Sequence, residues 1–190
     1  MKILIACECS GRVRDAMRAR GHDAYSCDLE PNDSKFHLQC DVRELLKSVW
    51  GQSLDFVGAH PPCDFLTISN NNAMTYGCSK YTAEQGKELR AKAVAFFMLF
   101  TKYKGYIENP VGIMSKLYRK PDQYIQPWMF GHGECKNTGL WLNGLPPLKP
   151  SNIVPGREQN IWKMPPGPKR KAARSVTYQG IADAMALQWG

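Results

Sequence analysis

Short apolar runs alternate with segments of helical periodicity along the first two-thirds of the chain, and most of the runs stop at a residue that can do chemistry. Lys2 to Cys7 closes on Glu8, Cys9, Ser10 and Gly11. Val13, Ala16 and Met17 then recur at helical spacing until Gly21. His22 to Cys27 closes on Asp28, Phe36 to Cys40 closes on Asp41, and Val42 to Trp50 has the pattern of a helix. Leu54 to Ala59 leads into His60-Pro61-Pro62-Cys63. Thr82 with Gln85 three residues later forms a capping box for a helix to about Tyr103, and Gly105 to Ile107 ends at Glu108-Asn109-Pro110. Strands alternating with helices predict an α/β, Rossmann-like architecture: a mostly parallel sheet with helices on both faces and a ligand site outside the carboxyl ends of the strands. The chemically active residues should therefore gather along one edge.

A length of 190 residues with 43% hydrophobic composition supports one core, so residues 1–190 are expected to form a single domain. The longest apolar run, Ala93 to Phe100, is too short for a membrane span, and the N-terminus lacks the apolar core of a signal peptide. Seven dispersed cysteines, an odd number, fit a disulfide framework poorly and point to a reducing, cytoplasmic setting. Zinc is a weak alternative: no CxxC pair occurs, and Cys7, Cys27 and Cys40 read as small core residues, so no metal is expected.

A formal charge of +8, with an isoelectric point near 9.2, favours polyanionic partners, nucleic acid before acidic membrane. Much of that charge lies between Lys149 and Arg174, where Lys149, Arg157, Lys163, Lys169, Arg170, Lys171 and Arg174 face one acid, Glu158. This basic arm would grip phosphates, giving affinity with little sequence information; a solvated basic loop is the plainer alternative.

An acid after the second strand of such a fold commonly accepts hydrogen bonds from ribose hydroxyls, and a glycine at the start of the first helix lets a ligand approach the backbone. Asp28 and Gly11 occupy those places. Cys63 and Glu108 together suit one particular reaction. A thiolate adding to carbon 6 of a pyrimidine, with an acid supporting protonation at ring nitrogen 3, turns carbon 5 into a nucleophile. His60, alone before a proline, could orient the loop or contact phosphate, though such a histidine is more often structural. Asn70-Asn71-Asn72 reads as a mobile loop, and Phe96, Phe97, Leu99 and Phe100 as part of a buried helix.

Pro61-Pro62-Cys63 and Glu108-Asn109-Pro110, in that order after the fourth and fifth strands, resemble the proline-cysteine and glutamate-asparagine motifs of the DNA cytosine 5-methyltransferases. The resemblance covers roughly residues 1 to 112 and, more loosely, Tyr178-Gln179-Gly180-Ile181-Ala182. It implies a methyltransferase fold and S-adenosylmethionine as methyl donor. Glu8, Cys9, Ser10, Gly11 and Pro61 would lie around that donor, with Asp28 on its ribose and Asp41 near its adenine. Cys63 would be the nucleophile, and Glu108 would bind and protonate a flipped cytosine in DNA. The chain departs from the family in having one glycine in the first loop, Asp64 where glutamine is common, and Lys136-Asn137-Thr138 in place of an arginine pair. The basic arm stands where a separate target-recognition domain is usual, so recognition is expected to be short, weak or supplied by a partner protein. The alternatives are a catalytically inactive DNA- or partner-binding protein of the same fold and a related cytosine-modifying enzyme.

Overall fold

The computed structural model describes residues 1–165 and 167–190; Pro166 and the side chains of Ile161, Trp162, Pro168, Lys169, Lys171 and Ala172 lie outside the described residues. The elements run β1 (Lys2–Ala6), α1 (Arg12–Ala19), β2 (Asp23–Asp28), β3 (His37–Gln39), α2 (Val42–Lys47), α3 (Val49–Gln52), β4 (Phe56–Ala59) and α4 (Asn71–Tyr76). They continue with α5 (Ala83–Met98), β5 (Gly105–Pro110), α6 (Met114–Leu117), β6 (Gln123–Ile125), β7 (Thr138–Asn143), α7 (Asn160–Lys163), α8 (Pro168–Ser175) and α9 (Gln179–Trp189). The strands form one seven-stranded sheet in the order β3-β2-β1-β4-β5-β7-β6. β1 to β5 are parallel, whereas β7 is antiparallel to both β5 and β6. The sheet is thus α/β and mostly parallel, as the alternation of runs predicts.

The two-residue period of β1 divides the core. Ile3 and Ile5 pack on one face with Val13 and Met17 of α1 and Ile181, Met185 and Trp189 of α9. Leu4 and Ala6 pack on the other with Val42 and Leu46 of α2, Phe97 of α5 and Phe100 just past its end. Covering both faces leaves the strand ends as the place where polar side chains can meet. Among the described residues, no helix is long and apolar enough to cross a membrane.

Four expectations need correction. The helix expected from Val42 to Trp50 is two, α2 and α3, because Ser48 between them is extended and its hydroxyl accepts from Gly51 N–H to start the second. α5 stops at Met98 rather than near Tyr103, because beyond it the bonding tightens to three-residue turns, Phe100 N–H to Phe97 O and Thr101 N–H to Met98 O, and the Thr101 hydroxyl also donates to Met98 O at 2.9 Å. β5 continues through Asn109 and Pro110 because β7 pairs with its full length, Glu108 opposite Leu140 and Pro110 opposite Thr138. The asparagine run is not a loop: a short 3-10 turn, Ile68–Asn70, leads into α4. Arg90 clamps this segment onto α5, donating to Phe65 O at 3.2 Å and to Asn71 Oδ1 at 3.0 Å.

Candidate active site

Strand order reverses between β1 and β4, and the loops that leave the two strands diverge there. On one side lie the turn after β1, Asp28 at the end of β2 and Asp41 after β3. On the other lie His60 to Cys63 after β4 and Glu108 in β5.

The first turn is built around Glu8 and Gly11. Glu8 is 2% exposed, and its carboxylate accepts from the backbone N–H groups of Val13 (2.8 Å) and Arg14 (3.3 Å), so it fastens the start of α1. Burial raises this carboxyl above its ordinary value, with His60 foremost among the groups that oppose the shift. Ser10 Oγ lies 3.4 Å from Glu8 Oε1, while the Cys9 thiol meets Pro31 O at 3.3 Å and Asn32 donates to Cys9 O at 2.8 Å. The turns after β1 and β2 are therefore laced together. Gly11 adopts φ 72°, and a Cβ there would lie 2.1 Å from the Arg14 guanidinium, so both backbone and space call for glycine.

Asp28 Oδ1 accepts from Glu30 N–H at 3.0 Å, which fixes the carboxylate at the strand end. Asp41 caps α2 by accepting from Arg43 N–H at 2.8 Å, and its carboxyl is held below the ordinary range by the Arg43 side chain and that backbone bond. Cys27 and Cys40, each just before one of these acids, face one another with sulfurs 3.7 Å apart. Cys27 is buried and Cys7 and Cys40 are half-buried. Burial, with Asp28 and Asp41 nearby, pushes the Cys7 thiol up to about 12.

Cys63 opens a helical turn, its carbonyl accepting from Leu66 and Thr67 N–H. The preceding prolines have fixed φ and no N–H, and the Pro61 carbonyl accepts from Asn109 Nδ2 at 2.8 Å. Asn109 is 2% exposed, so this bond ties the cysteine turn to the strand that carries Glu108. The Cys63 thiol is raised by burial; Arg174 and, more weakly, Lys136 oppose the rise, and Asp64 adds to it. The charge of the basic segment thus acts on the cysteine. Glu108 is enclosed, its side chain 14% exposed, and its Oε2 lies 3.8 Å from His60 Nδ1. His60 stands one residue past β4, which ends beside Ile107, and so brings its imidazole to this acid.

The basic segment is only partly an arm. Lys136 is committed inward, its Nζ donating to the carbonyls of Arg174 (2.7 Å) and Val176 (3.4 Å). Arg157 lies over the Trp128 ring, 3.9 Å from its centroid, and donates to Val154 O at 3.1 Å, so its planar guanidinium is stacked rather than extended. Lys149, Lys163 and Arg174 are exposed, and Arg170 in α8 is half-buried. Lys169 and Lys171 lie outside the described residues. Among the described residues, no group of three or more histidine, cysteine or acidic side chains is placed to hold a metal ion.

The edge therefore offers a half-buried thiol, an enclosed acid and fixed carboxylates at two further strand ends, with the charge of Arg174 acting on the thiol. No family model matches this chain, and no curated protein matches it.

Proposed function

We propose that this protein transfers a methyl group from S-adenosylmethionine to carbon 5 of cytosine in DNA through a transient Cys63 adduct. The observation that carries the reading is the Asn109–Pro61 bond, which holds the cysteine turn against the strand of Glu108 on one side of the reversal point of the sheet. Cys63 in its thiolate form adds to carbon 6 as Glu108 gives a proton to ring nitrogen 3, and carbon 5 becomes the nucleophile. Once carbon 5 carries the methyl group, its proton passes to solvent, the carbon 6–sulfur bond breaks to return the Cys63 thiolate, and the nitrogen 3 proton returns to Glu108.

The donor fits what the chain presents: the oriented carboxylate of Asp28 suits a ribose-bearing ligand, with Asp41 at the neighbouring strand end, while the space at Gly11 is taken by the Arg14 guanidinium. When bound, S-adenosylmethionine supplies an electrophilic methyl group. A finer assignment of the fold, to the Rossmann-like methyltransferases, belongs to this same reading. DNA is the partner proposed from the charge, part of which, at Arg174, acts on the Cys63 thiol, with sequence recognition left to a short contact or a partner protein.

Duplexes containing 5-fluorocytosine test the proposal, because the fluorine cannot leave as the carbon 5 proton does. The wild-type protein with S-adenosylmethionine should be trapped as a covalent adduct, and Cys63→Ser should not, while still binding the cofactor. A second reading, a DNA- or partner-binding protein without turnover, is favoured by the burial and the Asp64 charge that hold Cys63 as a thiol. Binding of both DNA and cofactor with neither adduct nor modified nucleoside on any duplex would establish it.

A further inference from the structure

His60 lies among groups that together decide which of its nitrogens carries a proton. Tyr106 is 1% exposed, and burial pushes its phenol well above the ordinary range, so the hydroxyl keeps its proton and needs an acceptor. His60 Nε2 is 2.8 Å from that hydroxyl. The approach depends on Gly58: a Cβ there would lie 2.6 Å from Tyr106 Cε1 and 2.8 Å from its oxygen, so the glycine lets the phenol pass over β4. With Nε2 accepting, the neutral ring carries its proton on Nδ1, the nitrogen that faces Glu108 Oε2 at 3.8 Å. Glu8 faces the imidazole from the end of β1, but its oxygens are committed to Val13 and Arg14 N–H. Glu108 is the carboxylate that closes on the ring.

We infer that His60 is a positioning residue whose Nδ1–H, aimed at Glu108, stabilises that carboxyl as it becomes ionised, with Tyr106 fixing the tautomer. The inference rests on the transferase reading. When Glu108 gives its proton to ring nitrogen 3, the carboxylate left behind accepts the Nδ1–H bond. A gap of 3.8 Å is too long for a hydrogen bond in the resting protein. It closes as charge develops, because the bond to the ionised form is the stronger one. When nitrogen 3 releases the proton at elimination, Glu108 takes it back, so His60 gains and loses none. An interaction made only as charge appears acts on kcat rather than on KM.

The test compares two amides. The nitrogen of asparagine reaches the place of Nδ1, and that of glutamine the place of Nε2. His60→Gln should therefore lower kcat by on the order of 10- to 100-fold, with KM for DNA little changed. His60→Asn should keep at least about ten times the kcat of His60→Gln, as retention of the oriented donor requires. Long-range ¹⁵N spectra of the wild-type ring should show the Nδ1–H tautomer, and Tyr106→Phe should shift the proton toward Nε2. A wild-type ring with its proton on Nε2, or equal kcat for the two amides, overturns the inference and leaves methyl transfer standing. An Nδ1–H ring in a protein that methylates no duplex overturns the transferase reading, and the role of His60 in turnover falls with it.

Discussion

Cys63 is held by opposing influences, and their balance sets when its sulfur can act. Burial raises the thiol, Asp64 adds to the rise, and the cations of Arg174 and Lys136 work against it. An ordinary cysteine titrates near about 8.5, so a raised value means less thiolate at neutral pH and a rate of modification that climbs further into the alkaline range. Alkylation of Cys63 by iodoacetamide, followed by mass spectrometry of its peptide, should still be accelerating above pH 9. Arg174→Gln removes the main opposing cation, so alkylation at pH 8 should slow. An unchanged rate would mean that Arg174 does not govern the sulfur. Cys7, pushed up to about 12, should stay unmodified beside it. At this scale the residue types were legible and their directions were not. Glu8 reads as a ligand-facing acid because it follows a strand, yet the unpaired N–H groups at the start of α1 draw its carboxylate inward.

Among the elements, β5 matters most to the site, since its last three residues carry the acid, the clamp to the cysteine turn and the pairing to β7. Asn109→Ala should leave the Pro61 carbonyl without its buried donor, costing about 1–3 kcal/mol in stability. Adduct formation should fall more steeply than cofactor binding. Urea denaturation and fluorocytosine trapping measure the two effects, and trapping at the wild-type rate would show that the clamp does not place Cys63. β1, β2 and β4 were legible because each apolar run ends at a glycine or a polar residue, and the start of α5 was legible because Thr82 and Gln85 cap it as their spacing predicts. The far half of β5 was not. Its partner β7 lies in a distant part of the chain, and a proline in the pairing register looks locally like the end of a strand.

For the whole molecule, the gathering of strand ends at one edge followed from the alternation of runs, whereas the use of the basic segment did not. Lys136 and Arg157 spend their charges on carbonyls and a ring, bonds that join residues far apart in sequence. Phosphate binding should therefore fall to the exposed Lys149, Lys163 and Arg174 and to α8. Replacing one of these cations by a neutral side chain should lower the slope of log K against log salt by about 0.9 for each phosphate it had neutralised, with little change in preference among sequences. Fluorescence anisotropy over a salt series measures this, and an unaltered slope would place the DNA surface elsewhere.

The two ends of that segment are anchored. Gln188 of α9 clasps the backbone of Lys149, accepting from its N–H at 2.8 Å and donating to its carbonyl at 2.9 Å, while Lys136 holds the carbonyls of Arg174 and Val176. Chain leaving and re-entering at pinned points can be exchanged for something longer without disturbing the sheet, because each doubling of a flexible loop costs only about 0.6 kcal/mol in closure entropy. Residues 152–158 are themselves bonded along 128–135, so the exchangeable stretch is the one between Glu158 and Arg174. A designer seeking to give this scaffold a new reading head would graft it there, and an evolving lineage could enlarge or shed such a module at the same place while Cys63 and Glu108 kept their positions.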